Sequence, residues 1–284
     1  MITYLKGDLF NSPAQVLVNA VNTVGVMGKG VALEFKKRYP AMFKNYQKIC
    51  DNHTFEVGKL YLWKGPEKWV LLFPTKQHWR NPSKLEYIEA GLKKFAAHAQ
   101  RLGIESIAFP KLGCGNGGLR WEAVQPVMER YLKPLPLQIY IYVDSFGKEL
   151  PEHRQQTAIE TWLHSSPDEI GFNLLKEDVQ RALARDASIV LKSGETAHVT
   201  WQGETIVIQN GRKISVEEGQ FCELWSYMRD SGVFAEQALP EKYAEFAHPA
   251  IAILKKLDYL QDVVLSDNGI DFDSGSNGYQ YAKM

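Results

Sequence analysis

In the first half of the chain, short apolar runs alternate with segments whose apolar residues recur every three to four positions. Residues 2–5, 16–19, 60–63, 69–73, 106–109 and 138–143 read as strands, from their length, their β-branched and aromatic content and their flanking Gly, Pro or Asn. Residues 31–38, 41–50, 84–101 and 121–131 carry helical spacing between them. Ser83, with Glu86 three positions on, predicts a capping box at the start of the third of these helices. The alternation predicts a three-layer α/β/α sandwich on a mostly parallel sheet of six strands.

The pattern changes after residue 143. Pro151 and then Ser165-Ser166-Pro167 mark a closing helix and linker over 144–168. Helical spacing follows over 168–184. Strand-like runs at 188–191, 197–201 and 205–209 are joined by the turns Lys192-Ser193-Gly194-Glu195 and Gln202-Gly203-Glu204. Helical spacing returns at 216–229 and 236–257, and the Asp-, Gly-, Ser- and Asn-rich tail from Ser266 is expected to fray. The expectation is a domain over 1–155 and a smaller α+β domain over 156–284. A hairpin beside helices also fits a winged-helix unit, a reading the acidity of that half argues against.

Composition narrows the class. The 284 residues are 45% apolar and 23% charged, which excludes a disordered or low-complexity chain. No apolar run approaches the roughly 20 residues of a membrane span. The opening Met1-Ile2-Thr3-Tyr4-Leu5-Lys6-Gly7-Asp8 lacks the basic-then-apolar order of a secretory signal, so a cytoplasmic location without membrane partners is expected. Three scattered cysteines, Cys50, Cys114 and Cys222, suggest neither a disulfide framework nor a thiolate metal site, and no metal or cofactor is expected.

The net charge of zero conceals an asymmetry. Residues 1–155 hold 22 Lys and Arg against 13 Asp and Glu, a balance of +9, whereas 156–284 hold 11 against 20, a balance of −9. A basic domain favours polyanionic substrates, and an acidic one suits the basic surface of a nucleic-acid-binding protein.

Ligands of parallel sheets bind where loops leave the carboxyl ends of strands, and three such loops are unusual. After the second strand, Val18-Asn19-Ala20-Val21-Asn22 leads into Gly28-Lys29-Gly30-Val31-Ala32 at a helix start, where glycines admit close backbone approach and free amides face an anion. It is neither a Walker A loop nor a dinucleotide fingerprint. After the fifth strand, Gly113, Gly115, Gly117 and Gly118 crowd into six residues with Cys114 and Asn116. Two glycine loops at one rim could grip a diphosphate from both sides. Cys114 has no neighbouring His or Asp in sequence and reads as a small side chain before a nucleophile. The third loop, Pro74-Thr75-Lys76-Gln77-His78-Trp79-Arg80-Asn81-Pro82-Ser83, combines an amine, an imidazole, a flat ring and a guanidinium. Buried beside a sugar, the Lys76 amine could attack an anomeric carbon, with His78 positioning or exchanging a proton.

On these loops, residues 1–150 resemble a macrodomain, the α/β/α module that binds ADP-ribose on a mixed six-stranded sheet. Gly7-Asp8-Leu9 is similar to the family's Gly-Asp-Ile, which implies that Asp8 reads the adenine amino group and that Leu9 belongs to the substrate site. Val18-Asn19-Ala20-Val21-Asn22 is similar to Val-Asn-Ala-Ala-Asn, which implies that Asn22 contacts the distal ribose, with Asn19 in the same motif. Gly28-Lys29-Gly30-Val31 stands where the family has Gly-Gly-Gly-Val, so Lys29 replaces a glycine.

Pro74-Thr75-Lys76 and Leu112-Gly113-Cys114-Gly115 look most like the branch that holds the terminal ADP-ribose protein glycohydrolase and the DarG antitoxins. The protein glycohydrolase has an aspartate in its second loop where this chain has Gly117, so the DarG pattern is the better match. The resemblance implies Lys76 as the catalytic residue. It implies a substrate site that takes in Thr75, His78 and the loop Gly113, Cys114, Gly115, Asn116, Gly117 and Gly118. It further implies an antitoxin that hydrolytically removes ADP-ribose from thymidine bases of single-stranded DNA and neutralises a DarT-type DNA ADP-ribosyltransferase through 156–284. Trp79 and Arg80 are expected to contact the strand by stacking. The rivals are a deacylase of ADP-ribosylated protein or O-acetyl-ADP-ribose, and a non-catalytic ADP-ribose reader.

Overall fold

A computed structural model describes residues 1–143, 156–164, 167–265 and 276–281. The described residues fall into two compact units, Met1–Thr161 and Trp162–Met284. Among them no helix is long and apolar enough to cross a membrane.

The first unit is built on six strands: β1 (Ile2–Leu5), β2 (Val16–Val21), β3 (Tyr61–Lys64), β4 (Trp69–Pro74), β5 (Ser106–Pro110) and β6 (Gln138–Tyr142). Their order in the sheet is β1-β6-β5-β2-β4-β3, parallel throughout except for the β3–β4 hairpin. This is the mostly parallel sheet that the apolar pattern predicts, with the mixed character that the resemblance implies. Both faces are buried, as a parallel sheet requires. Val16, Val18, Phe73, Phe109 and Ile141 face α3 (Leu85–His98) and α4 (Trp121–Leu132) in one core layer. Leu17, Val21, Leu72 and Ala108 face α1 (Gly30–Arg38) and α2 (Pro40–Asp51) in the other. A helix α5 (Gln156–His164) follows the strands; the rest of the expected 144–168 linker lies largely outside the described residues.

This strand order fixes where a ligand can sit. β5, β2 and β4 are adjacent and parallel, so the loops after Val21, Pro74 and Pro110 leave the same edge side by side.

One local expectation fails. Ser83 does not cap α3: its amide instead donates to the Gly117 carbonyl at 2.9 Å, and the helix starts one residue later, with Lys84 as an N-cap that makes no side-chain hydrogen bond. A tertiary contact to the second glycine loop outcompetes the local capping box.

The second unit contains α6 (Phe172–Arg185), α7 (Glu218–Ser231) and α8 (Ala247–Lys256) with two antiparallel sheets. One has the order β10-β9-β8-β7, from β7 (Ser188–Val190), β8 (Thr196–Gln202), β9 (Thr205–Asn210) and β10 (Arg212–Glu217). The other joins β11 (Val233–Phe234), β13 (Ser276–Tyr281) and β12 (Leu260–Leu265) in that order. Phe172, Phe221 and Trp225 pack as an aromatic core, with Phe172 and Trp225 ring centroids 5.8 Å apart.

Three readings of this half are corrected. The helical pattern at 216–229 hid β10, because Ile214 and Val216 belong to a strand and α7 begins only at Glu218. The 236–257 segment is not one helix: Pro240 sits between two 3-10 turns, and α8 starts at Ala247. The tail does not fray at 276–281, which pair with β12 in register from Leu260↔Tyr281 to Leu265↔Ser276. Residues 266–275 and 282–284 lie outside the described set.

Candidate functional site

The three adjacent loops enclose a cleft. Its first wall is the end of β2 and the start of α1, from Ala20, Val21, Asn22 and Val26 to Lys29, Gly30, Val31 and Ala32. Thr75 and Lys76, after β4, and Pro110, Lys111, Gly113, Gly115, Asn116 and Gly117, after β5, line the rest. The charged residues among these are Lys29, Lys76 and Lys111, all cationic. Lys29, the N-cap of α1, makes no side-chain capping bond, so the first-turn amides of this nine-residue helix are left to the cleft. Positive charge, exposed amides and small residues together suit a polyanion such as a diphosphate.

Lys76 is the buried cation of this arrangement. It is 5% exposed, and its Nζ donates to the Asn116 carbonyl at 3.2 Å, a bond that joins the third loop to the second glycine loop. The two glycine loops also close on each other. Gly30 has φ +58°, and a Cβ added there would lie 2.6 Å from the Asn116 Nδ2. The left-handed backbone favours glycine, and a Cβ there would push the Asn116 carboxamide aside. Gly117 is pressed as tightly, since a Cβ would lie 2.2 Å from the Ser83 Oγ and 2.5 Å from the Gly113 carbonyl oxygen.

Asn22 lines the cleft, but its carboxamide is committed to its own loop. Nδ2 donates to the Val26 carbonyl at 2.7 Å, while Oδ1 accepts from the Val24 amide at 3.0 Å and the Tyr46 hydroxyl at 2.8 Å. Tyr46, fully buried on α2, therefore anchors the first loop. The sequence reading missed it; its signal is a hydroxyl on the apolar face of an amphipathic helix. Lys111 was also missed as a lining residue, although its place directly after β5 marks it as a rim residue.

Other expected site residues stand elsewhere. Asp8 is outside the cleft walls, capping a 3-10 turn through Oδ1 and the Phe10 amide at 2.9 Å, with Arg38 3.7 Å from Oδ2. The Leu9 and Asn19 side chains are wholly buried, Asn19 reaching the Met27 sulfur at 3.6 Å, so they support the loops from below. Gly28 and Gly118 flank the lining residues; Gly118 closes a turn to the Gly115 carbonyl at 3.0 Å. Cys114 is half-buried, with its Sγ donating to the Leu112 carbonyl at 3.4 Å. Burial pushes its thiol up to about 12, the opposite of an activated nucleophile.

The run after Lys76 needs a larger correction. Trp79 is 1% exposed and cannot stack on a base in solvent. His78 packs against its ring, at 5.3 Å between centroids, and the Arg80 guanidinium lies 4.7 Å from the ring centroid. Arg80 is not open to a strand either, because it forms an ion pair with Glu160 of α5 at 2.8 Å. His78 Nδ1 accepts from the Arg80 amide at 3.1 Å, which stiffens the loop beyond Lys76.

Comparison with known proteins identifies this architecture. A Macro domain model matches residues 18–128. The solved macrodomain of Mycobacterium tuberculosis DarG is 47% identical, with a TM-score of 0.50, and the match covers 51% of this chain and 99% of that one. Through its first unit, the chain belongs to the macrodomain family.

The macrodomain is also 42% identical over 147 residues to a DNA ADP-ribosyl glycohydrolase of Thermus aquaticus, a match covering 50% of this chain and 41% of that protein. It is 40% identical over 170 residues to a DNA ADP-ribosyl transferase-DNA ADP-ribosyl glycohydrolase fusion protein of Thermosipho africanus, covering 53% of this chain and 44% of the relative. The matches thus span less than half the length of these curated relatives.

Proposed function

We propose that the macrodomain is a DarG-type glycohydrolase that releases ADP-ribose from thymidine bases of single-stranded DNA. The observation that carries this reading is the buried Lys76 in the lining of a cleft whose charged residues are all cationic. The relatives named DNA ADP-ribosyl glycohydrolase support the choice of linkage. In this scheme the diphosphate lies between the α1 amides and the Gly115–Gly117 backbone, and the adenine extends towards Asp8. The distal ribose then rests near Asn22, with its anomeric carbon towards the Lys76 Nζ. Asn116 holds that amine in place through its carbonyl. Hydrolysis transfers the glycosidic carbon from the base nitrogen to water, and the base nitrogen regains its proton.

For the second unit, the proposal is recognition of a DNA ADP-ribosyltransferase. Its excess of Asp and Glu suits the basic surface of an enzyme that grips DNA. The fused transferase and glycohydrolase of Thermosipho africanus supports a paired role for the two activities.

The test offers the full chain an oligonucleotide ADP-ribosylated on thymidine and a protein ADP-ribosylated on carboxylates, in parallel. Release of ADP-ribose from the DNA is expected. Release from the protein alone would replace this reading with the deacylase, and release from neither would leave a reader. Calorimetry of the full chain with a DNA ADP-ribosyltransferase tests the second unit: a salt-sensitive complex is expected, and its absence would remove the antitoxin role.

A further inference from the structure

With Trp79 and Arg80 engaged in the protein's own packing, a second depression beside the same loop offers a different set of side chains. A second groove is lined by Gln77, Asn81, Pro82, Lys84 and Tyr87. It shares the third loop with the cleft. Gln77 is bonded directly to Lys76, yet Gln77 is exposed where Lys76 is buried, so the loop presents one residue to each depression.

The third loop is braced near both ends. The Thr23 amide and hydroxyl both donate to the Gln77 carbonyl, at 3.1 and 2.8 Å, and the Ser83 amide is held by Gly117. At the far side, the Lys84 Nζ lies 5.4 Å from the centre of the half-buried Tyr87 ring. The groove therefore offers an aromatic ring, a cation beside it and two exposed carboxamides, all within eleven residues after Lys76.

We infer that this groove seats the nucleotide next to the modified one in a single DNA strand, with its base on Tyr87, its phosphate near Lys84, and Gln77 and Asn81 reading the base edge. An aromatic platform beside a cation is the usual device for holding single strands, and carboxamides pair with base edges. The inference rests on the DNA-directed reading of the Lys76 cleft and extends it to the source of any sequence preference. A folded protein substrate would have no base for Tyr87 and no repeating phosphate for Lys84.

The experiment uses the full chain and its variants Tyr87→Ala, Tyr87→Phe and Lys84→Ala. ADP-ribose binding, which takes place in the other depression, reports that each variant is folded. Anisotropy of an unmodified, fluorescein-labelled oligothymidylate reads the groove alone. Tyr87→Ala is expected to weaken oligothymidylate binding by roughly 5- to 150-fold, whereas Tyr87→Phe keeps it. Lys84→Ala is expected to flatten the salt dependence by about 0.7 of a unit in the log–log slope.

On the ADP-ribosylated oligonucleotide, KM should rise for Tyr87→Ala with kcat held. Oligothymidylate binding indifferent to both alanine variants, or absent from the parent, would overturn the groove while leaving the Lys76 reading intact if the parent still turns over modified DNA. A parent that binds the strand through Tyr87 but leaves modified DNA uncut would uphold the groove and sink the glycohydrolase. A loss of the same size on an ADP-ribosylated peptide would show that the groove serves protein instead, and would also overturn the inference.

Discussion

Arg80 meets the Glu160 carboxylate through two nitrogens, Nε at 3.1 Å and a terminal amine at 2.8 Å, and so ties the loop that carries Lys76 to α5. The side chains are 20% and 36% exposed, so after solvent screening the pair is worth only about 0.5–1 kcal/mol to stability. Its larger effect is on position. Glu160→Gln should lower Tm slightly and cut turnover about tenfold, as expected when a loop bearing the reactive group loosens. In a double-mutant cycle, Arg80→Lys with Glu160→Gln should cost no more than the worse single change. Full additivity would separate the ion pair from the placement of Lys76.

The two glycine loops provide a graded test of close approach. Gly117→Ala puts a methyl group 2.2 Å from the Ser83 Oγ and 2.5 Å from a backbone oxygen that cannot easily move, so a loss of about 1–3 kcal/mol and weaker ADP-ribose binding are expected. Gly30→Ala meets only the Asn116 carboxamide, which can swing away, so its cost is chiefly the left-handed backbone, about 1 kcal/mol. Gly115→Ala, whose Cβ meets nothing within 4 Å, should keep its stability. Chemical denaturation beside ADP-ribose calorimetry checks the ranking.

Tyr46→Phe removes the hydroxyl that donates to the Asn22 Oδ1 without changing the ring's packing. Oδ1 keeps the Val24 amide, so the change removes one hydrogen bond without stranding the acceptor and costs about 0.5–1.5 kcal/mol. Because the acceptor positions the first loop, ADP-ribose affinity should fall together with stability. A fall in stability alone would make Tyr46 a core residue only.

Cys114 gives a pH prediction. With its thiol pushed up to about 12 by burial, the thiolate is scarce at neutral pH, and iodoacetamide labelling should rise only well above the pH at which an ordinary cysteine reacts. Cys114→Ala should leave the pH profile of turnover unchanged. Fast labelling at neutral pH would revive the nucleophile reading.

The sandwich was legible because each strand and helix of the first unit carries its own period, and because the three glycine- or lysine-bearing loops follow strands that lie together as β5, β2 and β4. Trp79 was not legible: an indole within a polar, cationic run looks like an exposed stacking surface, whereas in the fold it is buried and packs with His78 and Arg80. Ser83 misled for a related reason, since its capping pattern is local and its actual partner, Gly117, is 34 positions away. In the second unit the Gly- and Ser-rich composition near the end masked β13, whose Tyr281 hydroxyl accepts from the Trp225 indole at 2.7 Å. Pairing with β12 and β11 holds this segment, and the buried bond adds to it, although composition marks it as loose.

The most direct measurement is single-turnover release of ADP-ribose from a thymidine-modified oligonucleotide by Lys76→Ala, beside a titration of the same variant with free ADP-ribose. An amine that faces the severed bond predicts affinity retained within about threefold and release slowed by at least roughly 100-fold. Release at the parental rate, with ADP-ribose still bound, would contradict the placement of Lys76 at the reacting carbon.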